Sequence, residues 1–207
     1  MAVANSQQHY LRSRKYENHL PAWKPAQNSN SAAIAARFTE TAAGLGAQVE
    51  TIVLNQLTYR GCQACLACKT KSEKCVLEDD LAGVLESLKE ADIIVMALPV
   101  YCSDVPGQFK CFVDRTYSYM KPNYLSDSNP SRVPLGKKLV FILTQGAPVE
   151  DLFADIPQRY LAFLKRSMGF GETHLIRAVG VGGGGAVGVP DQYLQKAEEL
   201  AKTIVKT

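Results

Sequence analysis

The chain has 207 residues, 46% of them hydrophobic, enough to bury one sizeable core without disulfides. Its formal charge of +3 is spread along the chain rather than gathered in a basic block, and no apolar run reaches the length of a membrane span, so neither nucleic acid nor a membrane is indicated as a partner. The N-terminus lacks a signal-peptide core; the expected location is the cytoplasm, where six cysteines stay reduced and serve as metal ligands, redox groups or core residues.

Residues 1–27, MAVANSQQHYLRSRKYENHLPAWKPAQ, are polar and aperiodic with two prolines, and read as an atypical arm ahead of one folded domain over 28–207. SAAIAARFTETAAGLG predicts a helix with Asn30 or Ser31 as N-cap, Ala35, Phe38, Ala42 and Leu45 on one face, and Gly46 at its close. QVETIVLN is a strand. A cysteine-rich loop follows, and Asp79 or Asp80 then caps a second helix with Leu81, Val84, Leu85 and Leu88 at helical spacing. DIIVMALPVY is a continuous apolar run, as befits a strand buried on both faces, and Pro99 ends it. A helix runs through GQFKCFVDRTYSYM. KLVFILTQGA is a second buried strand, DIPQRYLAFLKRSM a helix, THLIRAVGVG a strand, and PDQYLQKAEELAKTIV the last helix, opened by Pro190.

This alternation specifies an α/β fold, a three-layer doubly wound parallel sheet. Such a sheet in the order 2-1-3-4-5 needs five strands, whereas the sequence yields four strands and five helices. The first and most central strand is therefore expected to be missing or altered. A shift of reading frame accounts for both the absent strand and the odd arm. Codons for KYENHL, read one nucleotide later, can spell M-K-I-I, and those for AWKPAQ can continue into G-S-P-R-K just before NSNS. A single-nucleotide insertion or deletion near Gln27, with the start codon then chosen upstream, produces this pattern. Codon degeneracy allows other residues at most positions, so the gene sequence decides.

Three segments carry chemistry. Asn28, Ser29, Asn30 and Ser31 stand where the first helix begins, and free N–H groups, the helix dipole and short polar side chains there suit a phosphate or serve as an ordinary N-cap. Pro99, Val100, Tyr101 and Cys102 follow one interior strand, and Thr144, Gln145, Gly146 and Ala147 end the next. Both lie at the carboxyl edge of the sheet, where open α/β folds bind ligands.

The third segment is GCQACLACKTKSEKC. Cys62, Cys65, Cys68 and Cys75 form C-x2-C-x2-C-x6-C, a spacing similar to the loops that wrap a 4Fe–4S cubane in ferredoxins. Zinc suits it less, because structural zinc sites bring two separated ligand pairs and no histidine is near. Free or redox-active thiols are the plain alternative. Lys69, Lys71 and Lys74 surround the set with positive charge, which favours a reduced cluster. Cys102 reads as a small packing residue, with a reactive thiol as the alternative, and Cys111 on its helix face reads as core. GVGGGGAVG contains G-x-G-x-x-G but has no βαβ unit after it, so it reads as a mobile loop shaping a substrate pocket rather than a dinucleotide fingerprint.

Together these segments resemble the NADPH-dependent FMN reductase and iron–sulfur flavoprotein branch of the flavodoxin-like superfamily, whose members carry a G-S-P-R-x-x-S-N-[ST] phosphate loop, S-P-V-Y and an L-K-x-F-x-D-R helix. Asn28, Asn30 and Ser31 match the end of the phosphate loop, while Pro99, Val100 and Tyr101, with Cys102 beside them, match the segment next to the flavin ring. Thr144, Gln145, Gly146 and Ala147 match the second ring-contacting loop, and F-K-C-F-V-D-R, ending at Asp114 and Arg115, matches the helix. The front half of the phosphate loop, G-S-P-R, is absent.

The resemblance implies FMN as cofactor, NAD(P)H as reductant, and a quinone, a flavin or another small acceptor as oxidant, with no catalytic acid or base. It also implies a homodimer or homotetramer in which a neighbouring subunit helps cover the flavin. Two other functions fit the same residues. One is an iron–sulfur flavoprotein that carries electrons between redox proteins without a small substrate. The other is an inactive remnant without its central strand.

Overall fold

The computed structural model describes residues 19–24 as backbone, and residues 29–182 and 188–205 in full. Five strands, β1 (His19–Lys24), β2 (Gln48–Val53), β3 (Ile93–Pro99), β4 (Lys137–Gln145) and β5 (Phe170–Val179), form one sheet in the order β2-β1-β3-β4-β5 with every pairing parallel. Among the described residues the helices are α1 (Asn30–Gly44), α2 (Ala67–Thr70), α3 (Asp80–Glu90), α4 (Gly107–Arg115), α5 (Asp155–Met168) and α6 (Asp191–Ile204). No helix among the described residues is long and apolar enough to cross a membrane.

Side chains alternate across a strand, so each interior strand feeds two cores. Val95 and Ala97 of β3 join Val140 and Ile142 of β4 beneath Ile34, Phe38 and Ala201 of α1 and α6. Ile94, Met96 and Leu98 join Phe141 and Leu143 on the opposite face, under Leu85, Phe109, Phe112 and Leu164 of α3, α4 and α5. Phe109 meets Phe141 edge-on at 6.2 Å between ring centres, the geometry aromatic quadrupoles prefer.

The first strand, expected to be missing or altered, is present in altered form. HLPAWK pairs along its whole length with β2, and Ala22 and Trp23 pair with Val95 and Met96 of β3. It lies within the segment that pattern alone left as an arm.

Boundaries shift elsewhere for local reasons. Ser29, not Asn30 or Ser31, is the N-cap of α1, its Oγ accepting the N–H of Ala32 at 3.2 Å. The helix after β3 ends at Arg115, and residues 116–119 tighten into a 3-10 turn. β5 begins at Phe170 because Gly169, at φ +72, closes α5 abruptly; a Cβ there would stand 2.6 Å from the carbonyl of Pro134, so only glycine makes this turn.

Candidate functional site

The carboxyl ends of β3 and β4 set the first part of the site. Pro99 pairs with Thr144, and beyond that pair the N–H of Val100 donates to the carbonyl of Thr144 at 2.8 Å. The turns after the two strands therefore emerge side by side. Thr144 and Gln145 are buried, whereas Gly146 is exposed and Ala147 half-buried, so it is the second half of TQGA that reaches the surface. Gln145 organises the turn from inside: its Nε2 donates to the carbonyls of Ala147 at 3.0 Å and Val149 at 2.9 Å. Its Oε1 accepts from Nη2 of Arg177 at 2.7 Å. Arg177 carried no signal in the sequence, since its partner is 32 residues away.

Tyr101 begins a tight hairpin turn. Its N–H and carbonyl exchange bonds of 2.8 and 3.0 Å with Asp104, and the two central residues, Cys102 and Ser103, both have positive φ, 47° and 69°; Cys102 is therefore exposed at the turn's tip and not the packing residue expected. Such turns favour glycine or asparagine, so the turn is held from outside. The Asp104 carboxylate does this by accepting from its neighbour's N–H, Val105, at 2.7 Å, and from Arg159 at 3.3 Å. Burial pushes the Asp104 carboxyl up, and these bonds together with one from Tyr160 outweigh it, leaving Asp104 below its usual range. Tyr160 is pushed up to about 12, mainly by burial. The result is a Tyr101 side chain held out from the rim, with the residue 53% exposed.

The third part is the start of α1. Asn28 lies outside the described residues. Ser31 is buried, with its Oγ 3.2 Å from that of Ser29. The Asn30 Oδ1 accepts the N–H of Gly188 at 3.0 Å. Gly182, at φ +127, packs between the Asn30 Nδ2 and the Cα of Gly146; a Cβ built on it would lie 3.7 and 3.9 Å from them. The ends of the glycine-rich segment thus join the helix start to the turn after β4. Residues 183–187 lie outside the described residues, as does the expectation that they form a mobile loop.

This arrangement fits an FMN at the ring end. Two adjacent turns offer backbone and a projecting tyrosine, and the helix start offers N–H groups at the positive end of its dipole. The G-S-P-R half of the phosphate loop has no counterpart, and of the residues matched to its end Asn30 stands at the helix terminus while Ser31 is buried against Ser29.

The cysteine loop lies apart from this rim, between β2 and α3. Ala64 and Leu66 adopt positive φ, 52° and 56°, which curls the chain around Cys65 before the single turn of α2. Lys69 and Arg132 hold the middle of the loop. Lys69 Nζ lies over the Tyr117 ring at 3.8 Å, donates to the carbonyls of Tyr117 at 2.6 Å and Met120 at 2.8 Å, and stands 3.5 Å from the sulfur of Cys68. Burial lowers the Lys69 pKa, against the pull of Cys68. Arg132 donates to the carbonyl of Cys68 at 3.1 Å. Lys71 and Lys74 are exposed.

Cys62, Cys65, Cys68 and Cys75 all line one cavity of about 20 Å³, together with Arg115. The cavity has room for about one water. Among the described residues no three cysteine, histidine or carboxylate side chains converge on a single metal ion. Four thiols around one cavity are a donor set suited to a cluster, which spreads its thiolates over separate irons; Cys62 and Cys65 are exposed, Cys68 and Cys75 half-buried. Buried Arg115 Nε makes no hydrogen bond among the described residues.

Comparison with known proteins bears on the fold. The family model for the flavodoxin-like fold matches residues 22–204. The chain is 30% identical over 100 residues to an iron–sulfur flavoprotein of Methanosarcina thermophila, a stretch covering 48% of this chain and 52% of that one. It therefore spans about half the length of that relative. It is 26% identical over 156 residues to an FMN-dependent NADH:quinone oxidoreductase of Stenotrophomonas maltophilia, covering 73% of this chain and 75% of the relative. Among solved structures, an NAD(P)H:quinone oxidoreductase from Methanothermobacter marburgensis superposes with a TM-score of 0.69 over 91% of this chain and 96% of its own, at 20% identity. With five parallel strands in the order 2-1-3-4-5 and a family match over nearly its whole described length, the chain belongs to the flavodoxin-like fold family.

Proposed function

We propose that the protein is an FMN-dependent NAD(P)H oxidoreductase that reduces a quinone, a flavin or a similar small acceptor. The observation that carries this reading is the bond from Val100 N–H to the Thr144 carbonyl, 2.8 Å, which brings both ring-facing turns to one rim of the sheet. Relatives named as FMN-dependent NADH:quinone oxidoreductases support it. Bound there, FMN would supply two-electron chemistry, linking hydride from a reduced nicotinamide, with one proton from solvent, to reduction of a quinone to its hydroquinone. The chain's own residues bind and orient. Pro99, Val100, Tyr101 and Cys102 flank the ring on one side and Gly146 and Ala147 on the other, with buried Thr144 and Gln145 shaping that turn from inside; Asn30 lies nearest the phosphate, while Ser31, buried against Ser29, supports the helix start behind it rather than touching the ligand. No side chain is needed as acid or base. A homodimer or homotetramer, with a second copy covering the exposed rim at Tyr101, and a cytoplasmic setting complete the reading.

A second reading is favoured by the shared cavity of Cys62, Cys65, Cys68 and Cys75 and by relatives named as iron–sulfur flavoproteins. In it the same flavin site works with a 4Fe–4S cluster as an electron carrier. Anaerobic purification followed by absorption spectroscopy, with iron and FMN quantified and NAD(P)H oxidation assayed against a soluble quinone, tests both. Yellow protein that oxidises NAD(P)H is the expected outcome of the first reading. Brown, iron-containing protein without quinone reductase activity favours the second. Colourless protein that takes up no FMN overturns both.

A further inference from the structure

One buried guanidinium closes the neck of the cysteine loop. Arg115 has a fully buried side chain, and its Nη1 donates to the carbonyl of Arg60 at 2.9 Å while its Nη2 donates to that of Leu77 at 3.4 Å. Arg60 and Leu77 bracket the segment that carries all four cysteines. The same fork grips Asp79 with both nitrogens, at 2.7 Å from Nη1 to Oδ2 and 3.2 Å from Nη2 to Oδ1. Asp79 Oδ2 in turn accepts the N–H of Arg60 at 3.3 Å. The two ends of the loop thus meet on one planar group, whose remaining N–H, at Nε, is buried and unbonded among the described residues. Arg115 lines the four-cysteine cavity, and its charge interacts with the Cys75 thiol.

We propose that Arg115 is the positioning residue of the cysteine loop: by locking Arg60, Leu77 and Asp79 together it keeps the four sulfurs on one cavity and sets a positive charge beside the anionic cluster they would hold. The proposal rests on the second reading above for the cluster and on geometry alone for the clamp. A lysine keeps the charge but, as a point donor without a fork, cannot hold two carbonyls and a carboxylate in one plane. Charge alone and positioning are therefore separable.

Arg115→Lys in the full chain, purified anaerobically and treated with ferrous iron and sulfide, provides the test. Iron per chain and the midpoint potential of the cluster are measured. In untreated protein, the alkylation rates of Cys75 and Cys62 are followed by mass spectrometry, with circular dichroism reporting the fold. A folded variant should bind iron about tenfold or more weakly, the usual effect of removing an outer-shell partner, and so hold less iron per chain at limiting iron and sulfide, and should expose Cys75 to faster alkylation while Cys62 keeps its rate. Unchanged Cys75 alkylation in the folded variant overturns the clamp. Unchanged iron content and potential, where the wild type takes up a cluster, overturn the role toward the cluster. A wild type that binds no iron sinks the cluster reading and leaves the alkylation rates to decide the clamp. Should Arg115→Lys fail to fold, Asp79→Asn, which keeps the guanidinium and removes one anchor, decides by the same Cys75 rate.

Discussion

The N–H of Val100 and the carbonyl of Thr144 form a bond one step beyond the last β3–β4 pair, Pro99 with Thr144. Because that bond extends the ladder past the sheet's edge, Gly146 and Tyr101 come out on the same rim. Gly146 makes the arrangement testable. A Cβ there would stand 3.6 Å from the carbonyl of Gly182, ordinary contact, so Gly146→Ala should fold and melt as the wild type does. Gly146→Leu sends a branched side chain against the Gly182 backbone, where the turn after β4 meets the glycine-rich segment. FMN affinity, followed by quenching of flavin fluorescence, should survive in the first variant and fall by about tenfold or more, at least 1.4 kcal/mol, in the second. Undiminished affinity in Gly146→Leu would place the ring elsewhere.

What the sequence made legible follows from burial. β3 and β4 lie inside a parallel sheet, so they appear as unbroken apolar runs, and their ends locate the rim by the carboxyl-edge rule. α5 carries its own apolar stripe and a glycine stop, and its bounds agree residue for residue. β1 was illegible because HLPAWK has no apolar run; only its pairing with β2 and β3 identifies it. Three lysines near the cysteines were visible, but of these only Lys69 reaches a sulfur in hydrogen-bond range. Arg115 belonged to a helix motif, while its clamp joins partners 55 and 36 residues away, a relation no local pattern encodes.

Gly61, just before the first cysteine, faces a tight neighbour. A Cβ there would lie 3.3 Å from the sulfur of Cys111 on α4, so that sulfur would have to give way. Gly61→Ala should cost about 1 kcal/mol through overpacking. Adding Cys111→Ala should recover that cost, giving a favourable coupling in a double-mutant cycle by urea denaturation. Strict additivity of the two changes would show that the contact is not felt.

Asp79 ties stability to acidity. Burial pushes its carboxyl up, but the hydrogen bonds and charge of Arg115 and the N–H of Arg60 outweigh burial and leave it below the ordinary range. A carboxyl lowered by folding contributes stability that is present above its unfolded pKa, about 3.9, and is lost as pH falls through the folded value. The wild type should therefore melt at falling temperature below about pH 4. Asp79→Asn, which costs about 1.5–3 kcal/mol at neutral pH as a charge-assisted bond is weakened, should show a shallower decline in that window. Parallel acid profiles for the two proteins would remove Asp79 as the cause.

β1 itself yields the last prediction. It is flanked by β2 and β3, and a parallel strand in the interior of a sheet is expected to be apolar on both faces and to supply an N–H at each ladder position. HLPAWK departs on both counts, with His19 and Lys24 at its ends and Pro21 inside it. Read one nucleotide later, the codons from Tyr16 onward can give Met-Lys-Ile-Ile. At the junction of Trp23 and Lys24 the shifted triplet has no freedom: tryptophan's single codon ends in GG and every lysine codon begins with A, so glycine is forced where β1 ends. That is where a G-S-P-R phosphate loop would begin. Sequencing the gene across the codons for Lys15–Ser31 should show Met-Lys-Ile-Ile, then Gly-Ser-Pro-Arg-Lys, in the shifted frame. A chain expressed with that frame joined to Asn28 should melt at higher temperature and bind FMN about tenfold more tightly or better, a gain of at least 1.4 kcal/mol from restored phosphate contacts. A shifted frame without Met-Lys-Ile-Ile, or a rejoined chain no tighter than the present one, leaves HLPAWK as the strand this protein truly uses.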